Sequence, residues 1–89
     1  MYYIYKDERL IGSSSSIDYI IEFTKLMVDK AIGTEFTNLV VDKAIGIEND
    51  SSRLKQLYED KLTVNSPKVG INQLQHILAR LEYSLEVDI

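Results

Sequence analysis

The chain of 89 residues contains no cysteine and no tryptophan, and its single histidine is His76. Without cysteine there is neither a disulfide framework nor a thiolate metal site, so stability must come from packing or association. One histidine cannot supply an HxxxH pair, and no histidine-paired serine or GxSxG arrangement is present to activate a hydroxyl. Neither GxGxxG nor GxxxxGK[ST] occurs, so no loop is built to cradle phosphate. These absences point away from an enzyme: no catalytic, cofactor-binding or metal-binding residue is assigned, and no cofactor is expected.

Long apolar runs are missing too. None approaches the roughly 18 to 20 residues that span a bilayer, and the opening "MYYIYKDERL" has no basic segment followed by an apolar one. No membrane association is expected, and the cytoplasm is the expected compartment. A chain of this length buries only about 60 to 65 percent of its unfolded surface, which suits a single domain over residues 1–89 with one modest core.

Positive charge is also scarce, and the net charge is −4. Residues 34–50 carry −3, from Glu35, Asp42, Glu48 and Asp50 against Lys43, while residues 51–70 carry +2. Phosphate backbones require clustered cations, so direct nucleic-acid binding is not expected. An acidic surface fits a protein partner with a basic surface, and Glu48, Asp50, Glu82, Glu86 and Asp88 are the residues assigned to that contact. The adjacent pair Glu59 and Asp60 lies about 100° apart on a helix and reads as a solvated face.

What is present organises the chain into an α+β fold, with a small antiparallel sheet packed with three to four helices. "MYYIYKDERLIGSS" is a β-prone run, a polar turn at Lys6 to Arg9, and a short return through Leu10 and Ile11 that ends at Gly12, which together make a hairpin. Tyr3 and Tyr5 are expected to cover the core, leaving Tyr2 and Ile4 on the opposite face. At the other terminus "LEYSLEVDI" alternates, with Leu81, Tyr83, Leu85, Val87 and Ile89 on one side and the acidic row on the other. This strand is expected to join the hairpin in one sheet.

Between the strands the pattern is helical. Ser16 is placed to cap a helix over residues 17–32 carrying Ile20, Phe23, Met27 and Ala31. Ser51 or Ser52 opens a helix with Leu54, Leu57, Tyr58 and Leu62 on one face, and Ile71, Leu74, Ile77, Leu78 and Leu81 mark the last helix. His76 falls among its polar residues.

One segment repeats. Glu22–Gly33 and Glu35–Gly46 differ only at Lys25 against Asn38 and Met27 against Val40, a tandem duplication with a period of thirteen. Thirteen residues at about 100° each leave the second copy's apolar stripe about 140° from the first, so a continuous helix would face two ways. A break at Gly33 with Thr34 as the next cap resolves this and is the expected arrangement. The surplus apolar face of Phe36, Leu39, Val40 and Ala44 then serves self-association, and a homodimer is expected.

Residues 2–23, with strand, polar turn, "LIG" and serine-capped helix, resemble the hairpin-then-helix start of short accessory proteins of phages and of DNA-binding modules attached to phage-borne homing nucleases. The first resemblance implies a small protein-binding accessory or inhibitor, of the kind that includes anti-CRISPR proteins acting on host nucleases. The second implies a helix-turn-helix regulator. It stands as the alternative reading, because the acidic segment after Gly33 carries no recognition helix and "KVGINQLQHILARLE" lacks the usual spacing after its turn glycine.

Overall fold

The computed structural model describes residues 1–48 and 51–88. Strands β1 (Tyr2–Lys6) and β2 (Arg9–Ser14) are followed by helices α1 (Ile17–Ala44), α2 (Ser52–Val64) and α3 (Ile71–Arg80), and strand β3 (Tyr83–Val87) closes the chain. The fold is α+β, a three-stranded antiparallel sheet of order β2-β1-β3 packed with three helices. β1 is central, with Ile4 opposite Gly12 on one side and Leu85 on the other. The expected position of Ile89 lies outside the described residues.

The hairpin runs further than its apolar residues suggest. β2 continues past Gly12, and Ser13 and Ser14 pair with Tyr3 and Tyr2, so these serines belong to the sheet and not to a connection. The register shifts between Ile4 and Tyr5, where Ile11 is the extra residue of a bulge. Gly12 is where it is because of packing: a Cβ there would lie 3.0 Å from the Tyr19 hydroxyl oxygen.

The two faces of β1 are the reverse of the expected ones. Ile4 is fully buried and Tyr2 packs against the core, whereas Tyr3 and Tyr5 alternate to the other side. The reason is the helices, which cover one face of the sheet only. Ile4 and Leu85 meet Ile20 and Val28 of α1, Leu57 and Val64 of α2, and Leu74, Ile77 and Leu78 of α3. A branched aliphatic side chain fills that space, while a tyrosine on the uncovered face keeps its hydroxyl in water. Thr24 is a polar member of the core, and its hydroxyl donates to the Ile20 carbonyl at 2.7 Å.

The repeat does not make two helices. α1 passes through Gly33 without a break, and Thr34, expected as a cap, instead donates its hydroxyl to the Lys30 carbonyl within the helix at 3.1 Å. An interior glycine costs only about 1 kcal/mol, less than renucleating a second helix. The rotation of about 140° is therefore expressed in full. Thr24 and Val28 are buried, and their counterparts Thr37 and Val41 are exposed. Leu26 is exposed, and its counterpart Leu39 is half-buried on the side where Glu35 meets Arg53 of α2 at 3.0 Å. Only the second glycine stops the helix: Gly46 adopts φ +80°, and the Ile47 N–H donates back to the Asp42 carbonyl at 2.8 Å.

In α2 the inward stripe is Leu57, Asp60 and Val64, with Leu54 half-buried. Tyr58 and Leu62 are exposed, Leu62 at 76 %, so the expected apolar face is shifted round by one position. Asp60 is not a solvated carboxylate, being 2 % exposed, although Glu59 is exposed as expected. Arg80 at the end of α3 grips Asp60 through Nη2 and through Nε at 3.1 Å, and Gln56 donates to the same carboxylate at 3.1 Å. The hydrogen bond that Arg80 donates to Asp60 raises the Arg80 pKa further above its already high value, so the guanidinium in this tie between α2 and α3 stays charged. Removing the arginine leaves a buried carboxylate with one neutral donor. Arg80→Ala is expected to lower stability by about 2–3 kcal/mol in urea denaturation, whereas Arg80→Lys should recover part of that loss.

None of the fully buried side chains comes from residues 34–46, and Arg53 at the start of α2 already lies beside Glu35. Deleting residues 34–46 would therefore shorten the hairpin between α1 and α2 without opening the core. The deletion variant is expected to unfold cooperatively with helical circular dichroism reduced in proportion to the excised turns; loss of the cooperative transition would show that the second copy is part of the core.

Candidate protein-binding surface

The uncovered face of the sheet ends in an acidic depression. β1 turns into β2 through the two residues Asp7 and Glu8, between the paired residues Lys6 and Arg9. Such a loop follows the twist of the strands only when both residues take positive φ, and they do so at 51° and 64°. On the other side of β1, Lys6 pairs with Tyr83, which brings the turn from α3 into β3 to the same end of the sheet. Glu82 occupies that turn with φ 69°. The non-glycine residues with positive φ among the described residues are these three carboxylates.

Together with Glu86 they surround Tyr5 and Ser84, which are paired across the strands, in an open depression of about 460 Å³. All four carboxylates are exposed, and none makes an ion pair among the described residues. Two cations flank the turn, Lys6 and the exposed Arg9, and Lys6 is turned to the covered face, where its ammonium lies 4.5 Å from the centre of the Tyr83 ring. That ring is held edge-on by Phe23 at 5.4 Å between centroids, and its hydroxyl reaches the Met27 sulfur at 3.3 Å. Tyr83 also lines the depression, so one of its walls is anchored to α1 while the carboxylates at the rim are exposed. Four uncompensated charges around a half-buried tyrosine suit a guanidinium or ammonium group, which gains both attraction and a ring to lie against.

Of the residues assigned from sequence, the structure brings Glu82 and Glu86 together. Asp88 is exposed further along, where its N–H donates to the Met1 carbonyl at 2.9 Å and its own carbonyl accepts from the terminal amine at 2.9 Å. Glu48 is exposed beyond the far end of α1 and does not line the depression, and Asp50 lies outside the described residues. Asp7, Glu8 and Tyr5 were missed. The polar turn in "KDER" is the only signal for the two carboxylates, Tyr5 is expected on the opposite face, and the sheet order that sets the turn beside Glu82 is not a local property. Of the self-association set, Phe36, Val40 and Ala44 are exposed on α1 and Leu39 is half-buried against the α2 side.

Other chemistry is sparse. His76 is exposed on α3, and among the described residues no group of three or more His, Cys, Asp or Glu is placed to hold a metal ion. No helix among them is long and apolar enough to cross a membrane. Comparison with known protein families, curated proteins and solved structures gives no match to this chain.

Positive φ at a glutamate costs about 1–2 kcal/mol relative to glycine. Glu8→Gly is therefore expected to stabilise the fold by about 1 kcal/mol, a rise in Tm of about 4–8 °C for a domain of this size. An unchanged or lowered Tm would mean that the Glu8 side chain contributes to folding in a way that offsets its backbone strain.

Proposed function

We propose that this protein is a small cytoplasmic binding protein that docks the acidic end of its sheet, Asp7, Glu8, Glu82 and Glu86 around Tyr5, onto a basic patch of a partner protein, as an accessory or inhibitor would. The observation that carries this reading is the placement of carboxylates at three turn positions where glycine or asparagine would be less strained. Strained positions usually persist for a reason other than stability, and here the shared consequence of all three is negative charge at one end of the sheet. A basic surface that ordinarily meets nucleic acid, such as that of a nuclease, has the matching chemistry. Inhibition would follow from occupying it.

The test uses an arginine-rich peptide as the cationic probe and follows backbone amide shifts. Shifts should concentrate on Tyr5, Ser84 and Glu86, and affinity should fall with added salt. The variant Glu8→Asn, Glu82→Asn, Glu86→Gln keeps residues that tolerate the turns and is expected to bind about tenfold more weakly, at roughly 0.5 kcal/mol per rim charge. Shifts scattered over all acidic residues, or equal binding by the variant, would refute the site. The helix-turn-helix alternative predicts sequence-selective binding to duplex DNA far tighter than the non-specific level of about 10⁻⁶ M, measurable by fluorescence anisotropy.

A further inference from the structure

The back of α1 exposes apolar surface along its length and meets the sheet only near its start, where Tyr19 lies over Gly12 of β2. Tyr19, Leu26, Gly33 and Val40 recur every seven residues, so they drift by only about 20° per step and form one stripe. Leu26 is 64 % and Val40 53 % exposed, and a Cβ at Gly33 would meet nothing within 4 Å. The two ends of the stripe differ in shape. Near the helix start, Tyr19, Glu22, Phe23 and Leu26 line an open depression of about 370 Å³. Near its end the smaller side chains Val40 and Ala44 stand exposed, with Lys43 beside them.

We propose that this stripe is a self-association surface on which two copies pair their α1 helices antiparallel, related by a two-fold axis at Gly33. That operation sets Leu26 against Val40 of the second copy and Glu22 between Ala44 and Lys43 of the second copy, twice over. The depression receives the small side chains, Glu22, which pairs with Lys25 of its own chain at 3.4 Å, gains a second lysine, and the two glycines cross where backbones come closest. A parallel pairing would instead set Leu26 on Leu26 and Glu22 on Glu22, opposing like charges.

The chain exposes more surface than a compact monomer of its size. The chain exposes 6180 Å², where a compact monomer of 10.2 kDa exposes about 5,300 Å². The excess, roughly 900 Å², is spread over an elongated chain of which the long helix α1 is the main extension, whereas a stable interface draws roughly 800 Å² from each partner. The radius of gyration, 14.6 Å, likewise exceeds the value of about 12 Å for a compact chain of this length. The proposal is independent of the acidic depression, none of whose lining residues lies on α1.

Because the chain has no cysteine, single cysteines report the geometry directly. Sedimentation equilibrium should show a dimer at about 50 μM protein, and Leu26→Glu with Val40→Glu should yield a monomer of unchanged circular dichroism, its dissociation constant raised at least about 100-fold. Under mild oxidation Gly33→Cys should form a covalent dimer. Leu26→Cys alone should not, since its two copies would sit about 21 Å apart along the axis, but an equimolar mixture of Leu26→Cys and Val40→Cys should cross-link. A monomeric wild-type chain at that concentration, or self-cross-linking of Leu26→Cys, overturns the proposal.

Discussion

A helix advances about 100° per residue, and a repeat of thirteen cannot return to the same face. Much of the form of this molecule follows from that mismatch. The inward side of α1 is held by Ile20, Thr24 and Val28 and then, one copy later, by Glu35 and Leu39. Nearly identical local sequence is therefore inside at Thr24 and Val28 and outside at Thr37 and Val41. The core is completed by α2, α3 and the sheet instead. The second copy lengthens the molecule more than it thickens the interior, and it leaves Phe36, Val40, Val41 and Ile45 in contact with solvent.

The sheet imposes a second constraint, because β1 is bonded on both edges and covered on one face. Pairing on both edges drives the turn after β1 and the turn before β3 to the same end, so Asp7, Glu8 and Glu82 become neighbours although more than seventy residues separate them in sequence. Coverage on one face decides which side chains line that end. Lys6 goes inward over Tyr83, and its charge is withdrawn from the rim, while Tyr5 goes outward into it. The strain at the three carboxylates is tolerated because ladder hydrogen bonds on both sides of β1 over-determine the backbone there.

Much of this architecture was legible in the sequence, and the failures share a cause. Strict alternation in "LEYSLEVDI" located β3, and the spacing of Leu74, Ile77 and Leu78 located α3, because each signal is local and periodic. The misreadings concern choices that only the rest of the fold makes. A glycine can stop a helix or be passed through, and Gly46 and Gly33 do one each in the same local context. Two faces of β1 are both apolar in part, and the helices select the one that carries Ile4. Asp60 sits at a core spacing with a charge, and only Arg80, twenty residues on, explains it. For the site, Glu82 and Glu86 were visible as the polar phase of a strand, whereas Asp7 and Glu8 joined them through sheet order.

The acidic end of the sheet and the back of α1 act through different physics and lie on different elements. Exposed carboxylates attract a cationic partner over about a Debye length and chiefly raise the rate of encounter, an effect that salt suppresses. The apolar stripe acts only on contact, through area removed from water, and salt hardly weakens it. A two-fold pair built on α1 leaves both acidic depressions open, one on each copy. A partner with two basic patches at the matching separation would then engage the second depression at the high effective concentration set by the rigid pair, and its dissociation would slow without any new contact within either site. In that arrangement the second copy of the repeat, which adds nothing to the buried core, strengthens a surface located on the sheet by holding two of them in fixed relation.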